Sequence, residues 1–133
     1  MVEESLVFIK PDAVQKGQVG AILGRFEKVG LTIMKASLVS MTEALTDKHY
    51  EEHTQKPFYP NLKDYIMSSP IMVFVLSGDN AIQQIRDMVG TTNPQEAASG
   101  TIRADFGTDM THNAVHASDS RESAAREIAN FFG

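Results

Sequence analysis

Short apolar runs alternating with segments of helical periodicity constrain this chain more than any other feature. Leu6-Val7-Phe8-Ile9, within Ser5 to Lys10, reads as a buried strand. Pro11-Asp12 stops it and suits a helix start. Val19, Ile22, Leu23 and Phe26 then follow the i, i+3, i+4, i+7 spacing of an amphipathic helix, which Gly30 is placed to end. Leu31 to Val39 predicts a second strand, with Met34, Ala36 and Leu38 on one face and Ile33 and Val39 on the other.

A polar helix is predicted from about Thr46 to His53, then a corner at Pro57-Phe58-Tyr59-Pro60 and a short helix over Leu62 to Met67. Ile71 to Leu76 is the clearest strand, and Ile82, Ile85 and Val89 mark a helix closed by Gly90. Residues 91–113 lack periodicity and read as a long loop, a length that usually serves function. A strand at Ala114 to Ala117 and a helix from Ser120 to Asn130 complete the chain. This order predicts an α+β fold of ferredoxin-like type, a βαββαβ antiparallel sheet with helices packed on one side. No repeat or linker divides the sequence, so residues 1–133 are expected to form a single domain.

Several function classes drop out. The formal net charge of -5 argues against dedicated nucleic-acid binding, so an anionic ligand would need a local cluster of cations. With no cysteine, thiol catalysis and Cys-based metal sites are excluded. The N-terminus does not resemble a signal peptide, and no apolar run approaches the roughly 20 residues that cross a bilayer. A cytoplasmic protein with no membrane partner is the expectation. There is no Walker-type glycine loop, no G-x-G-x-x-G and no protein-kinase motif set, so any bound phosphate must be held by side chains.

The segment Asn113 to Ser120 carries the most chemistry. His116 falls at the end of a short apolar strand beside a helix start, where Asp119 and Glu122 have capping-box spacing. A neutral imidazole is a competent nucleophile toward phosphorus, and a helix N-terminus favours arriving negative charge. The alternative is an ordinary, partly buried histidine. Two patterns bear on that choice. Glu127 occupies the i+3 slot of the stripe Ala124, Ile128, Phe131, and Arg86 the i+4 slot of the stripe Ile82, Ile85, Val89. Inward charges are costly unless paired or solvated in a cleft; otherwise they must snorkel from the stripe's edge. In addition, Lys10 ends the first strand, and Thr92 and Arg103 lie in the long loop, where side chains can be aimed without disturbing a core.

These residues resemble a known family. Asn113 to Ser120 is similar to the N-x-x-H-G-S-D-S signature of nucleoside diphosphate kinases, and Lys10-Pro11-Asp12 to the K-P-D motif of the same family. Ala117 stands where that signature has glycine, a change tolerated if the backbone torsions there are ordinary. The resemblance covers essentially the whole chain and implies an ATP-binding phosphotransferase. In its ping-pong reaction a nucleoside triphosphate phosphorylates His116, and a nucleoside diphosphate then collects the group.

By the same resemblance, Lys10, Arg86, Thr92 and Arg103 would contact phosphates. Asn113 with Lys10 would bind the ribose 3'-hydroxyl, and Phe58 would stack on the base. Glu127 and Ser118 would orient the imidazole, with Tyr50 close to the ring. Magnesium would arrive with the nucleotide, with Asp119 as its nearest carboxylate, acting through water. A homo-oligomer, tetramer or hexamer, is implied, and the ending at Gly133 resembles a short bacterial-type form. Without the resemblance, Phe58 reads equally as a core or turn residue.

Two rivals come from other classes. His49-Tyr50-Glu51-Glu52-His53 matches H-x-x-E-H, an inverted zincin pattern that needs both histidines on one helix face and a third ligand. A non-catalytic nucleotide sensor could keep Lys10, Phe58 and Arg103 but has no use for a nucleophile paired with Glu127.

Overall fold

Strand β1 (Val2–Ile9) occupies an inner position because its apolar run has no polar side to offer solvent: Leu6, Val7, Phe8 and Ile9 are all fully buried. The computed structural model describes residues 1–133. After β1 come α1 (Pro11–Gln15), α2 (Val19–Lys28), β2 (Thr32–Val39), α3 (Glu43–His49) and α4 (Tyr59–Ile66). They are followed by β3 (Ile71–Asp79), α5 (Ala81–Val89), α6 (Ile102–Phe106), β4 (Val115–Ala117) and α7 (Arg121–Phe132). The sheet has the order β2-β3-β1-β4, and every neighbouring pair is antiparallel. That is the predicted ferredoxin-like βαββαβ arrangement.

Helices cover both faces of the sheet rather than the expected one. Val7, Ile9, Phe74 and Leu76 pack against Ile22 and Phe26 of α2 and Ile85 and Val89 of α5. On the other face Leu6, Phe8, Ile71 and Val73 meet Ile66 of α4, with Leu45 of α3 and Ile128 and Phe131 of α7 against them. The physical reason lies in the strands themselves. A sheet with one wet face alternates apolar and polar residues, whereas β1 runs apolar at four successive positions. Each such side chain removed from water contributes about 1.5–3 kcal/mol.

Four further expectations shift. A register irregularity between Ile33 and Lys35 places Ile33 against the same core as Phe74, not on the face of Val39. α3 starts at the N-cap Thr42, whose hydroxyl accepts from the Leu45 amide, and ends at His49, so His53 lies beyond the helix. The segment 91–113 contains α6, capped by Thr101, and Arg103 is therefore helical. Ser120, not Asp119, caps α7, accepting a hydrogen bond from the Ser123 amide at 3.0 Å.

Gly90 ends α5 with φ 90°, and a Cβ there would lie 2.8 Å from Thr101. Only glycine fits that left-handed, crowded turn. Ala114 is also left-handed, with φ 73°, although it has a side chain and is fully buried. Such a conformation costs an alanine about 1–2 kcal/mol.

Candidate active site

β4 is short because its task is to aim one residue. It pairs with β1 through Val7–Ala117, Phe8–His116 and Ile9–Val115, which sets the His116 ring over Phe8 with centroids 4.7 Å apart. The Nε2–H of His116 donates to Oε1 of Glu127 at 2.9 Å, and the Ser118 hydroxyl donates to the same oxygen at 2.8 Å. Ser118 is itself fixed to β1, accepting from the Leu6 amide at 3.3 Å. Burial alone would push the Glu127 carboxyl up, but the hydrogen bond and charge of His116, with Ser118 behind them, hold it below the usual carboxylate range. An ionised Glu127 can only accept, so the imidazole proton belongs on Nε2 and the lone pair is left on Nδ1.

His116 lines two adjoining cavities of about 230 and 540 Å³. The smaller holds Arg86, Asp119 and Glu127; the larger holds Lys10, Phe58, Thr92 and Asn113; Tyr50 and Arg103 line both. Ten of the eleven sequence-derived site residues thus border these two adjoining cavities. The eleventh, Ser118, is fully buried and hydrogen-bonded to Glu127. Tyr50 is close to the site without a hydrogen bond to His116; burial pushes its phenol up, so it stays neutral.

Each cation is held by the fold. The Lys10 ammonium donates to Oδ1 of Asn113 at 2.8 Å, and Nδ2 of Asn113 donates to the Thr92 carbonyl at 2.9 Å. Arg103 bridges two backbone carbonyls, Nη1 to Gly90 at 3.1 Å and Nη2 to Val115 at 3.0 Å, while its buried Nε has no partner. Arg86 donates from Nη1 to the Ala117 carbonyl at 3.3 Å. Burial, and then the charge of Arg103, lowers Lys10 to about 8; burial, and then Arg86, lowers Arg103 to about 10. Cations that weaken one another's hold on protons form a site that an anion would relieve.

Phe58 is half exposed at the mouth of the larger cavity, facing a slot that also takes in Leu62 and Met110. An exposed aromatic beside apolar walls suits a flat ring. Asp119 is ionised, lowered mainly by the Ser123 hydroxyl at 2.5 Å, with Arg86 contributing. The smaller cavity offers Asp119 and Glu52 among Arg86, Arg103 and Arg126, its third carboxylate, Glu127, being engaged by His116 and Ser118, which leaves too few free hard oxygens to cage a magnesium ion. This set fits an ion held chiefly by the oxygens of a bound polyphosphate.

The zinc reading fails on geometry. His49 is buried at the end of α3, its ring edge-on to His116 at 5.0 Å, while Nδ1 of His53 lies in the turns beyond, 3.1 Å from the Lys56 ammonium. The two histidines do not share a helix face. His49 is instead a site residue that sequence reasoning missed, as are Leu62 and Met110. Its adjacency to Tyr50 was the available signal. At Ala117 the backbone torsion is ordinary and the methyl is buried in the core, so the alanine is accommodated.

Comparison with known proteins agrees with this geometry. Residues 3–133 match the sequence model of a family described as nucleoside diphosphate kinase. A nucleoside diphosphate kinase of Methanocorpusculum labreanum is 52% identical over 131 residues, covering 98% of this chain and 88% of that protein. One from Archaeoglobus fulgidus is 50% identical, with 98% and 87% covered. Both organisms are archaeal, so the resemblance is not particular to bacteria. Among solved structures, the Aquifex aeolicus nucleoside diphosphate kinase superposes with a TM-score of 0.96 at 40% identity, covering 100% of this chain and 96% of that one. A Halobacterium salinarum nucleoside diphosphate kinase in complex with CDP gives 0.96 at 41%, with 99% and 88% covered.

Proposed function

The chain belongs to the nucleoside diphosphate kinase family, and from that premise we propose which of its residues carry the reaction. The enzyme transfers the γ-phosphoryl group of a nucleoside triphosphate to a nucleoside diphosphate by a ping-pong route through a phosphohistidine. His116 is the carrier. The observation supporting it is the ionised Glu127 on Nε2, which leaves the Nδ1 lone pair free on a ring that borders two adjoining cavities, one lined by Arg86 and Arg103 and the other by Lys10 and Arg103.

In the first half-reaction Nδ1 attacks the γ-phosphorus. An N–P bond forms, and the bond to the β–γ bridging oxygen breaks, its electron pair leaving with the diphosphate. Glu127 stabilises the positive charge that develops on the ring, as the third member of a hydrolase triad does. The second half-reaction is the reverse, with a different diphosphate as acceptor. Phosphoryl transfer asks mainly for position and charge, and the three cations supply the charge. Ser118 and Tyr50 support the ring and its surroundings. Lys10 and Asn113 hold the ribose hydroxyl and Thr92 the phosphates.

Phe58 reads the π-face that every base has, so acceptance of different bases follows. Magnesium, when bound with the nucleotide, neutralises charge on the phosphate oxygens, and Asp119 would hold it through water. Residues 1–133 act as one catalytic domain, assembled into a homo-oligomer of four or six chains. The outer strand β2 supports that assembly: it pairs only with β3 and exposes Met34 and Leu38. No helix is long and apolar enough to cross a membrane, and we place the enzyme in the cytoplasm, without nucleic-acid partners.

The deciding experiment is intact-mass measurement after exposure to a nucleoside triphosphate. One added phosphoryl group, labile to acid and stable to alkali, is expected; His116→Ala should lose it while still binding nucleotide. A nucleotide sensor would gain no mass.

A further inference from the structure

His116 and Asn113 are separated by a strained turn, and the strain has a dedicated clamp. The Val115 amide donates to the Asn113 carbonyl at 2.9 Å, closing a γ-turn whose central residue, Ala114, has φ 73°. This positive-φ γ-turn is the rare and strained form. It lies between the residue that anchors Lys10 and the residue that carries the phosphoryl group. If the turn relaxed, Asn113 and His116 would lose their mutual register.

Both polar groups of Ala114 are held by the segment after β1. Its carbonyl accepts from the Lys10 amide at 2.8 Å, and its amide donates to Oδ2 of Asp12 at 3.2 Å. Asp12 is buried, and its other oxygen accepts from the Tyr65 hydroxyl, which in turn accepts from the Asp12 amide at 3.3 Å. Tyr65 belongs to α4, the helix that also brings Asn61 and Leu62 to the larger cavity. Its ring packs edge-on against His112 at 4.5 Å. Tyr65 lines neither cavity that holds His116, so the proposed chemistry does not use it.

The geometry points to Tyr65 as a positioning residue: through Asp12 it clamps the left-handed Ala114, and so sets His116 against the nucleotide that Lys10 and Asn113 hold. The inference rests on the reading of His116 as phosphate carrier. Its test has one readout that does not. Tyr65→Phe removes a single hydroxyl and keeps the ring on His112. Hydrogen–deuterium exchange at the Ala114 amide, measured without nucleotide, should quicken at least about tenfold, since that amide is protected by the clamp. The rate of His116 phosphorylation at saturating triphosphate should fall about tenfold, because small misplacements of reacting atoms are costly.

Adding Ala114→Gly should restore that rate, as glycine holds a positive φ without help. A merely structural tyrosine would lower the melting temperature and leave the saturated rate and the rescue untouched. Unchanged Ala114 exchange, an unchanged saturated rate, or failure of the glycine to rescue would each overturn the inference. Should Tyr65→Phe not fold, Asp12→Asn serves for the same three measurements, since an amide retains only one acceptor oxygen. If the wild-type protein took no phosphate on His116, the parent reading would fail while the amide exchange still reported on the clamp.

Discussion

His116 and Ser118 donate to one and the same oxygen of Glu127, at 2.9 and 2.8 Å, so a single carboxylate oxygen fixes both the ring and the strand behind it. Replacing Glu127 with Gln keeps the size and removes the charge. The amide can also present its NH2 to the ring, which would move the imidazole proton to Nδ1 and spoil the nucleophile. Glu127→Gln should therefore slow phosphorylation of His116 by roughly tenfold to a hundredfold, with nucleotide affinity little changed. Single-turnover kinetics beside an equilibrium titration would check it. A normal rate would mean that Glu127 does not set the tautomer.

Lys10 gives the pH dependence on the alkaline side. Burial and the nearby Arg103 lower it from 10.5 to about 8 in the free enzyme. With the proposed role of Lys10 in holding the nucleotide, the ammonium form is required, so kcat/KM should decline as pH rises through about 8. Unfolding is not the cause of that limb. Between about 8 and 10.5 the unfolded chain binds the proton that the native state has released, so this group makes stability rise with pH while activity falls. Lys10→Arg should move the limb to higher pH. A limb that stayed near 8 in that variant would assign it elsewhere.

His49 acts on the acid side, and through stability. Burial, and then the charge of His116, lowers it from 6.5 to about 3. Its contribution is present above pH 6.5 and is lost as pH falls toward 3, because the unfolded ring takes a proton that the native one refuses. His49→Phe, which keeps an aromatic ring beside Phe8 and Phe131, should flatten the fall in stability from pH 6.5 to 4.5, above the ordinary range of the carboxylates. Urea titrations across that window would show it. An unaltered slope would mean that His49 is protonated in the native protein.

His49 also marks where sequence reading stops. The apolar run of β1 and the inward charges Arg86 and Glu127 were legible, because burial and periodicity are written locally. The environment of His49 is supplied by β1, β4 and α7, far away along the chain, so its neighbours in sequence do not announce it. Helix α6 has five residues, too few for a periodic signal, so its sequence reads as loop. Alanine carries no mark of a left-handed turn; the positive φ of Ala114 comes from Lys10 and Asp12. Coverage of both sheet faces could have been inferred from the four successive apolar residues of β1, which leave neither side for water.

Arg103 carries the last prediction, and its hydrogen bonds make it more specific than charge alone. The guanidinium joins Gly90, at the end of α5, to Val115 on β4, and so ties the cation to the strand that bears His116. A lysine keeps the charge but is a point donor on a flexible stem and cannot span both carbonyls in a fixed fork. Arg103→Ala should lower turnover at least about tenfold through lost transition-state charge stabilisation. Arg103→Lys should recover only part of that loss, because the Gly90 or Val115 carbonyl goes unpaired, at a cost of about 1–3 kcal/mol in stability. Thermal unfolding and turnover measured on both variants separate the two roles. Full recovery by lysine would reduce Arg103 to its charge, and unchanged turnover in the alanine variant would place it outside the phosphate site.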